Sequence, residues 1–287
     1  MAAAQEKVSE LISSADLILE VRDARLPFTS AHPGLSALCG QRPRLVIFNK
    51  ADLACDAMRP RVTAALRTQG LPCMFTTTTC TAGGRAPRMS PLLSLIDSIP
   101  TRASRFKSAG VLLGVVGMPN VGKSSLVNAL KGTAMVGGKS SAAVAPTPGF
   151  TRGLTTFRIR AHPPLYLVDT PGVMMPRLAD VEVGLKLTVS HAIRDAFVPH
   201  AVQAEYLLYA FASMGATGYV KALGLSRGYG ENEVEACLEE LAGKLGAKRP
   251  GGLFDTDAAA LHFVKAYQEG KLGKHTLDYL PETLLSK

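Results

Sequence analysis

Val111-Leu-Leu-Gly-Val-Val-Gly117-Met-Pro-Asn-Val-Gly122-Lys123-Ser124-Ser125 runs from an apolar, β-branched stretch into a glycine loop and then into helix-forming residues. Gly117 to Ser124 fits the pattern GxxxxGKS. With a strand before it (Val111–Val116) and a helix after it (Ser124–Lys131), such a loop is a phosphate cradle. The backbone N–H groups of Asn120, Val121 and Gly122, together with the helix N-terminus, face a β-phosphate. Lys123 then neutralises the terminal phosphates, the Ser124 hydroxyl ligates magnesium, and Ser125 in the first turn joins the nucleotide-binding set. The rival reading, a structural glycine turn, does not account for the flanking strand and helix.

Two further clusters lie outward from this loop. Leu165–Val168 ends in Asp169-Thr170-Pro171-Gly172, and Asp169 is the single acid in residues 101–178. Asp169 is placed to hold magnesium through water, and the Gly172 N–H to meet a γ-phosphate. On the other side, Leu45–Phe48 ends in Asn49-Lys50-Ala51-Asp52. An aspartate carboxylate there accepts two hydrogen bonds from guanine, from its ring N–H and its exocyclic amine; adenine presents no such donor pair. The wrong base would leave a buried carboxylate unpaired, so the cluster selects GTP over ATP. Asn49 and Lys50 tie this loop to the phosphate loop and cover the base.

Leu17–Val21 behaves like the other apolar runs and ends in Arg22-Asp23-Ala24-Arg25. Strand, polar loop and helix (Ala57–Thr68 is another) repeat along the chain, which predicts an α/β fold with a doubly wound, mainly parallel sheet. Ligands of such sheets sit in loops at the carboxyl ends of the strands, where these clusters fall. The glycine- and proline-rich stretch Ala82–Pro91 reads as a loop. After Pro176 the pattern becomes helical, in Val181–Phe197, Val202–Met214, Val234–Leu245 and Ala258–Tyr267. The expected division is a nucleotide-binding domain over 1–178 and a mainly helical domain over 179–287. The base-reading cluster precedes the phosphate loop, the reverse of the ordinary order. A parallel sheet tolerates such circular permutation if each strand keeps its place. The loop that senses the γ-phosphate then leads directly into the helical domain.

Composition narrows the class. The 287 residues are 47% hydrophobic and 19% charged, which excludes wholesale disorder. No apolar run is long enough for a membrane span. Five cysteines without a CxxC pair fit a reducing compartment and no zinc site. The net charge of +9 is unevenly spread: +3 over 1–100, +9 over 101–178 and −3 over 179–287. That concentration points to a polyanion. Nucleotide phosphates with ordinary surface lysines explain it as well as an added RNA contact does. The N-terminal residues lack both a signal-peptide core and the early arginines of a transit peptide, so for an organellar protein a processed or shortened form is expected.

The order Asn49-Lys-Ala-Asp52, Gly117-Met-Pro-Asn-Val-Gly-Lys-Ser-Ser125, Pro148-Gly-Phe-Thr151 and Asp169-Thr-Pro-Gly172 resembles the YlqF-related circularly permuted GTPases. Asp23-Ala-Arg25, Thr147–Arg152, Asp169–Arg177, Val183–Leu187 and Tyr206–Tyr209 resemble their mitochondrial, ribosome-associated branch. The resemblance implies GTP/GDP and magnesium as ligands, and Thr151 as a switch threonine that closes on magnesium, with Thr147 and Thr155 as rivals. It places Thr77 and Thr78 behind the base and gives Asn120 either a potassium-ligating or a loop-shaping role. Lys123, Thr151 and Gly172 then form the catalytic set, with Ser124, Thr151 and Asp169 around the metal. It further implies the mitochondrial matrix, a large mitoribosomal subunit precursor (rRNA and ribosomal proteins) as partner, a place at the matrix face of the inner membrane, no DNA partner, and a monomer off the ribosome.

One departure concerns the chemistry. Val173 follows Gly172 where Ras-like enzymes have the glutamine that orients water. Bacterial members carry a histidine just before the methionine that aligns with Met1, and none of His32, His162, His191, His200, His262 or His275 lies in a matching motif. The expectation is a slow GTPase that assists assembly of the large mitoribosomal subunit. The alternatives are a GTP-binding scaffold with negligible hydrolysis, and a permuted GTPase of RNA maturation outside mitochondria.

Overall fold

Leu17-Ile-Leu-Glu-Val-Arg-Asp23 forms β1, and every residue in it is buried. A strand covered on both faces cannot show polar alternation, which is why this run and its neighbours read as continuous apolar segments. The computed structural model describes residues 2–32, 34–78, 88–101, 110–133, 155–169, 180–193, 198–230 and 232–279. Before β1 lies α1 (Ala2–Ser14); after it come α2 (Leu35–Cys39), β2 (Arg44–Asn49), α3 (Arg59–Thr68), β3 (Cys73–Phe75) and α4 (Ser90–Ser98). Then follow β4 (Val111–Gly117), α5 (Lys123–Thr133), β5 (Thr155–Arg160) and β6 (Leu165–Asp169). Five helices close the described chain: α6 (Val181–Val189), α7 (His200–Ser213), α8 (Gly218–Leu223), α9 (Val234–Leu245) and α10 (Thr256–Gln268).

The six strands form one sheet in the order β3-β2-β1-β4-β6-β5. All pairs are parallel except β5 with β6. This is the expected doubly wound, mainly parallel sheet. Each strand expected from its apolar run is present and slightly longer than the run. The antiparallel edge β5 was not expected: Thr-Thr-Phe-Arg-Ile-Arg alternates apolar with charged residues, a weak signal in a short edge strand. Arg160 at its end donates to both carboxylate oxygens of Asp97 at 2.7 and 2.6 Å, tying β5 to α4. Pro91, read as the end of a loop, lies in the first turn of α4, where the missing N–H breaks no helical bond. Residues 79–87 of that loop lie outside the described residues.

The chain falls into two compact units: Met1–Ala51 with Asp56–Pro176 and Tyr279–Lys287, and Asp52–Cys55 with Arg177–Asp278. In the first, Val8, Leu11 and Ile12 of α1 and Ala15 just after it pack with Ile18, Val116 and Val168 of the sheet. In the second, Phe211 of α7 stacks on Tyr219 of α8 at 5.3 Å and meets Phe263 and Tyr267 of α10. Asp180 caps α6 and Asp255 caps α10 through side-chain oxygens. α6 stops at Val189, short of the expected Phe197. His191 turns to φ +60° and the Ala192 N–H reaches back to the Leu187 carbonyl at 2.8 Å, a left-handed helix stop. Residues 194–197 lie outside the described ones. No helix among the described residues is long and apolar enough to cross a membrane.

Candidate functional site

β4 delivers the glycine loop and α5 receives it. At Gly117 the backbone takes φ +149°, and a Cβ would lie 2.3 Å from the Val21 carbonyl oxygen of β1, so only glycine fits. Met118 and Val121 are buried and pin the loop from below. Asn120 sits at the exposed crest with φ +52°, a left-handed conformation that asparagine tolerates better than most residues. A residue that shapes the loop takes this backbone geometry. Gly122 takes φ +95°, and its carbonyl accepts the first helical bond from the Leu126 N–H at 2.9 Å. Lys123 Nζ reaches back to the Met118 carbonyl of its own loop. Ser124 and Ser125 stand exposed at the start of α5, beside N–H groups with no intrahelical partner. A helix N-terminus beside a lysine offers the donors and the charge that an anion takes.

The cluster expected to read the base sits at the carboxyl end of β2. Asn49, 2% exposed, acts as a clasp. Its Nδ2 donates to the Val121 carbonyl of the glycine loop at 3.0 Å. Its Oδ1 accepts from the Thr78 N–H at 3.2 Å and the Thr78 hydroxyl at 3.0 Å. One amide thus joins three loops that are far apart in the chain: Asn49, Thr78 and Val121 come together. Thr77 lies beside them, half-buried, in the segment after β3. The loop is braced by the Ala51 N–H on the Thr76 carbonyl at 3.1 Å and by Arg59 on the Ala51 carbonyl at 2.8 Å.

Lys50 takes φ +57° and its Nζ lies 3.0 Å from Asp23 Oδ2. Asp23 is fully buried at the end of β1, in register with Asn49 of β2. Arg25 also meets it, through Nε at 3.1 Å, Nη2 at 2.9 Å and its own N–H at 3.0 Å. Burial alone would raise the Asp23 carboxyl; the charges of Arg25 and Lys50 and the hydrogen bonds from Arg25 overturn that and hold it at about 2. The sequence reading gave Asp23-Ala24-Arg25 no role in the site. The signal was in its position, because two neighbouring parallel strands end in polar clusters at the same level.

Asp52 is exposed and opens the segment Asp52–Cys55, which packs within the second unit. There the Leu53 carbonyl accepts from the His275 N–H at 3.1 Å, and the Cys55 N–H donates to Thr276 Oγ1 at 3.2 Å. Asp169 closes β6, the strand beside β4, opposite Thr155 of β5. Thr147, Thr151, Gly172 and Val173 lie outside the described residues. Thr155, the other rival for the switch threonine, begins β5.

The family model described as 50S ribosome-binding GTPase matches residues 112–219, from β4 into the start of α8. Mitochondrial ribosome-associated GTPase 1 of Xenopus tropicalis is 34% identical, over 97% of this chain and 92% of its own. Mitochondrial GTPase 1 of Schizosaccharomyces japonicus is 31% identical, over 96% of this chain and 88% of its own. Among solved structures, GNP-bound YlqF from T. maritima matches with a TM-score of 0.68 at 20% identity, covering 96% of this chain and 97% of that one. That likeness is one of fold.

Proposed function

We propose that this chain, which belongs to the mitochondrial ribosome-associated GTPases, binds GTP, hydrolyses it to GDP and phosphate, and assists assembly of the large mitoribosomal subunit in the mitochondrial matrix. The observation that carries the reading is the Asn49 clasp. It fastens the base-reading strand end directly to the phosphate loop, as a site for one ligand with a base at one end and phosphates at the other requires. Residues 1–178 supply the nucleotide machinery, and residues 179–287 meet rRNA or ribosomal protein.

In this reading the α5 N-terminus and the loop N–H groups hold the β-phosphate, Lys123 spans the β- and γ-phosphates, and Asp52 selects guanine. The Ser124 hydroxyl is exposed at the start of α5 and Asp169 ends the strand next to β4. A hydroxyl and a carboxylate are the oxygen donors magnesium takes, so these residues fit that ion. Bound magnesium neutralises charge on the β- and γ-phosphates. Thr151 and the Gly172 N–H close on the γ-phosphate end, and the loop after Gly172 carries the nucleotide state into 179–287.

The side chain of Val173 neither donates nor accepts a hydrogen bond, so water must be oriented by another group. Turnover is therefore slow for the protein alone. An assembling large subunit that orders the switch loops would raise it most, and Asn120 would raise it less if it held a potassium ion. The test is steady-state phosphate release in matched potassium and sodium salts, with and without large-subunit particles. Strong stimulation by particles is expected. Fast hydrolysis by the protein alone in sodium would defeat the account, and particles that bind in a GTP-dependent way without speeding hydrolysis would make the protein a scaffold.

A further inference from the structure

Two cations share one fully buried carboxylate at the end of β1. Arg25 alone would satisfy Asp23: it is itself buried, touches both oxygens and adds its backbone N–H. Simple neutralisation of a buried acid is then complete. Yet Lys50 Nζ approaches Asp23 Oδ2 at 3.0 Å as well, and the Lys50 side chain is 22% exposed where that of Arg25 is 2%. The second cation is thus the one that reaches the surface, on the strand end where the base would lie.

The backbone points the same way. Lys50 holds φ +57° without being glycine, a strained conformation that persists only where its surroundings over-determine it. Before it, the Asn49 carbonyl accepts from the Ala24 N–H at 2.8 Å; after it, the Ala51 N–H donates to the Thr76 carbonyl at 3.1 Å. The Asp23 pair fixes the tip of the side chain, as these bonds fix its root. The charges of Arg25 and Lys50 outweigh burial and hold the Asp23 carboxyl at about 2, so the anchor is ionised near neutral pH.

We propose that Asp23 is a positioning residue for guanine-nucleotide binding: its carboxylate pins the Lys50 ammonium so that the lysine stem lies pre-ordered over the base site. Arg25 keeps Asp23 in place and charged, and Lys50 is the group that meets the ligand. The inference rests on the guanine-nucleotide reading above. A floppy lysine stem would have to be ordered by the ligand, at the ligand's expense in affinity. Because the base end is common to both nucleotides, GTP and GDP should be affected alike.

The test is equilibrium binding of N-methylanthraniloyl-GDP to the full chain, with magnesium held constant and melting curves for each variant. Asp23→Asn and Lys50→Met should each raise the dissociation constant about tenfold. In the Lys50→Met background, Asp23→Asn should add less than about twofold, since its partner is already gone. Lys50→Arg, which keeps the charge, should recover most of the loss. Asp23→Asn within about twofold of the native chain, or an Asp23→Asn loss undiminished in the Lys50→Met background, would overturn the proposal; the second result makes Asp23 a staple of the fold acting through Arg25. If Asp23→Asn fails to fold, the lysine variants decide, because both keep the Asp23–Arg25 pair. Lys50→Met binding as tightly as the native chain, or Lys50→Arg binding as weakly as Lys50→Met, then overturns it. Failure of the native chain to bind the probe at all would instead remove the guanine-nucleotide reading.

Discussion

The proposed phosphate end and the proposed base end of the site are built in opposite ways. The phosphate end is local: eight consecutive residues, Gly117 to Ser124, between one strand and one helix, with backbone groups as the working parts. Its demands are conformational, as the positive φ values at Gly117, Asn120 and Gly122 show. The base end is assembled from Asp23 on β1, Asn49 at the end of β2, Lys50 just after it and Thr78 beyond β3, all joined by side chains. A local backbone cradle is read from a motif and broken by changing its glycines. A dispersed side-chain network is broken piecemeal, with graded losses.

The largest effects should separate the two ends by what they change. Lys123→Ala removes the cation facing the terminal phosphates and should lower single-turnover phosphate release by about a thousandfold or more, whatever the base. Asp52→Asn exchanges an acceptor for a donor facing guanine. It should weaken GTP binding by about 2–4 kcal/mol while improving relative tolerance of xanthine nucleotides. Calorimetric titration with both bases checks this. Unchanged guanine affinity would remove Asp52 from the base end, and hydrolysis surviving in folded Lys123→Ala would remove the phosphate end.

How much of this was legible follows the same division. The strands β1, β2, β4 and β6 announced themselves because buried parallel strands are continuous apolar runs, and the glycine loop because its eight residues are contiguous. β5 hid in an alternating edge pattern, and the end of α6 hid because His191, not glycine, takes the left-handed stop. Asn49 was readable from its motif, whereas its grip on Val121 depends on the order β2-β1-β4, which no local pattern contains. Asp23 stood out only as one residue of a polar cluster at a strand end and of a family resemblance, with no role of its own. Its burial beside two cations follows from the strand register, a tertiary fact. The packing of Asp52–Cys55 with the second unit was equally invisible, since its partners His275 and Thr276 lie at the far end of the chain.

Gly122 is where the two designs touch, and it gives the next effect in size. A Cβ there would lie 2.0 Å from Asn49 Nδ2, on a backbone at φ +95°. Gly122→Ala should therefore strain the loop and push the clasp off Val121, costing about 2–3 kcal/mol of stability and weakening GDP and GTP binding together. Gly132 in α5 is the control, because its Cβ would meet nothing within 4 Å. Gly132→Ala should stabilise by about 0.5–1 kcal/mol through helix propensity, with nucleotide affinity unchanged. Chemical denaturation and nucleotide titration of the pair check both signs. Equal behaviour of the two alanines would mean that the clasp does not constrain the loop.

The smallest effect tests whether the base end is a network. Thr78→Val keeps the shape and removes one hydroxyl, which now donates to Asn49 Oδ1 at 3.0 Å; the Thr78 N–H on the same oxygen, at 3.2 Å, remains. Asn49 Oδ1 keeps one donor of two and Nδ2 keeps Val121, so the clasp should loosen without letting go. Loss of one buried neutral hydrogen bond is worth about 1 kcal/mol, or about fivefold in affinity. The loss should fall equally on GDP and GTP and leave the magnesium dependence alone, since the hydroxyl serves the base end. Thr77→Val leaves the Asn49 contacts intact and should change affinity less. Side-by-side dissociation rates of a fluorescent GDP from the two variants decide between the threonines. A larger effect at Thr77 would transfer the base-backing role to it, and a loss confined to GTP would mean that Asn49 and Thr78 answer to the γ-phosphate rather than to the base.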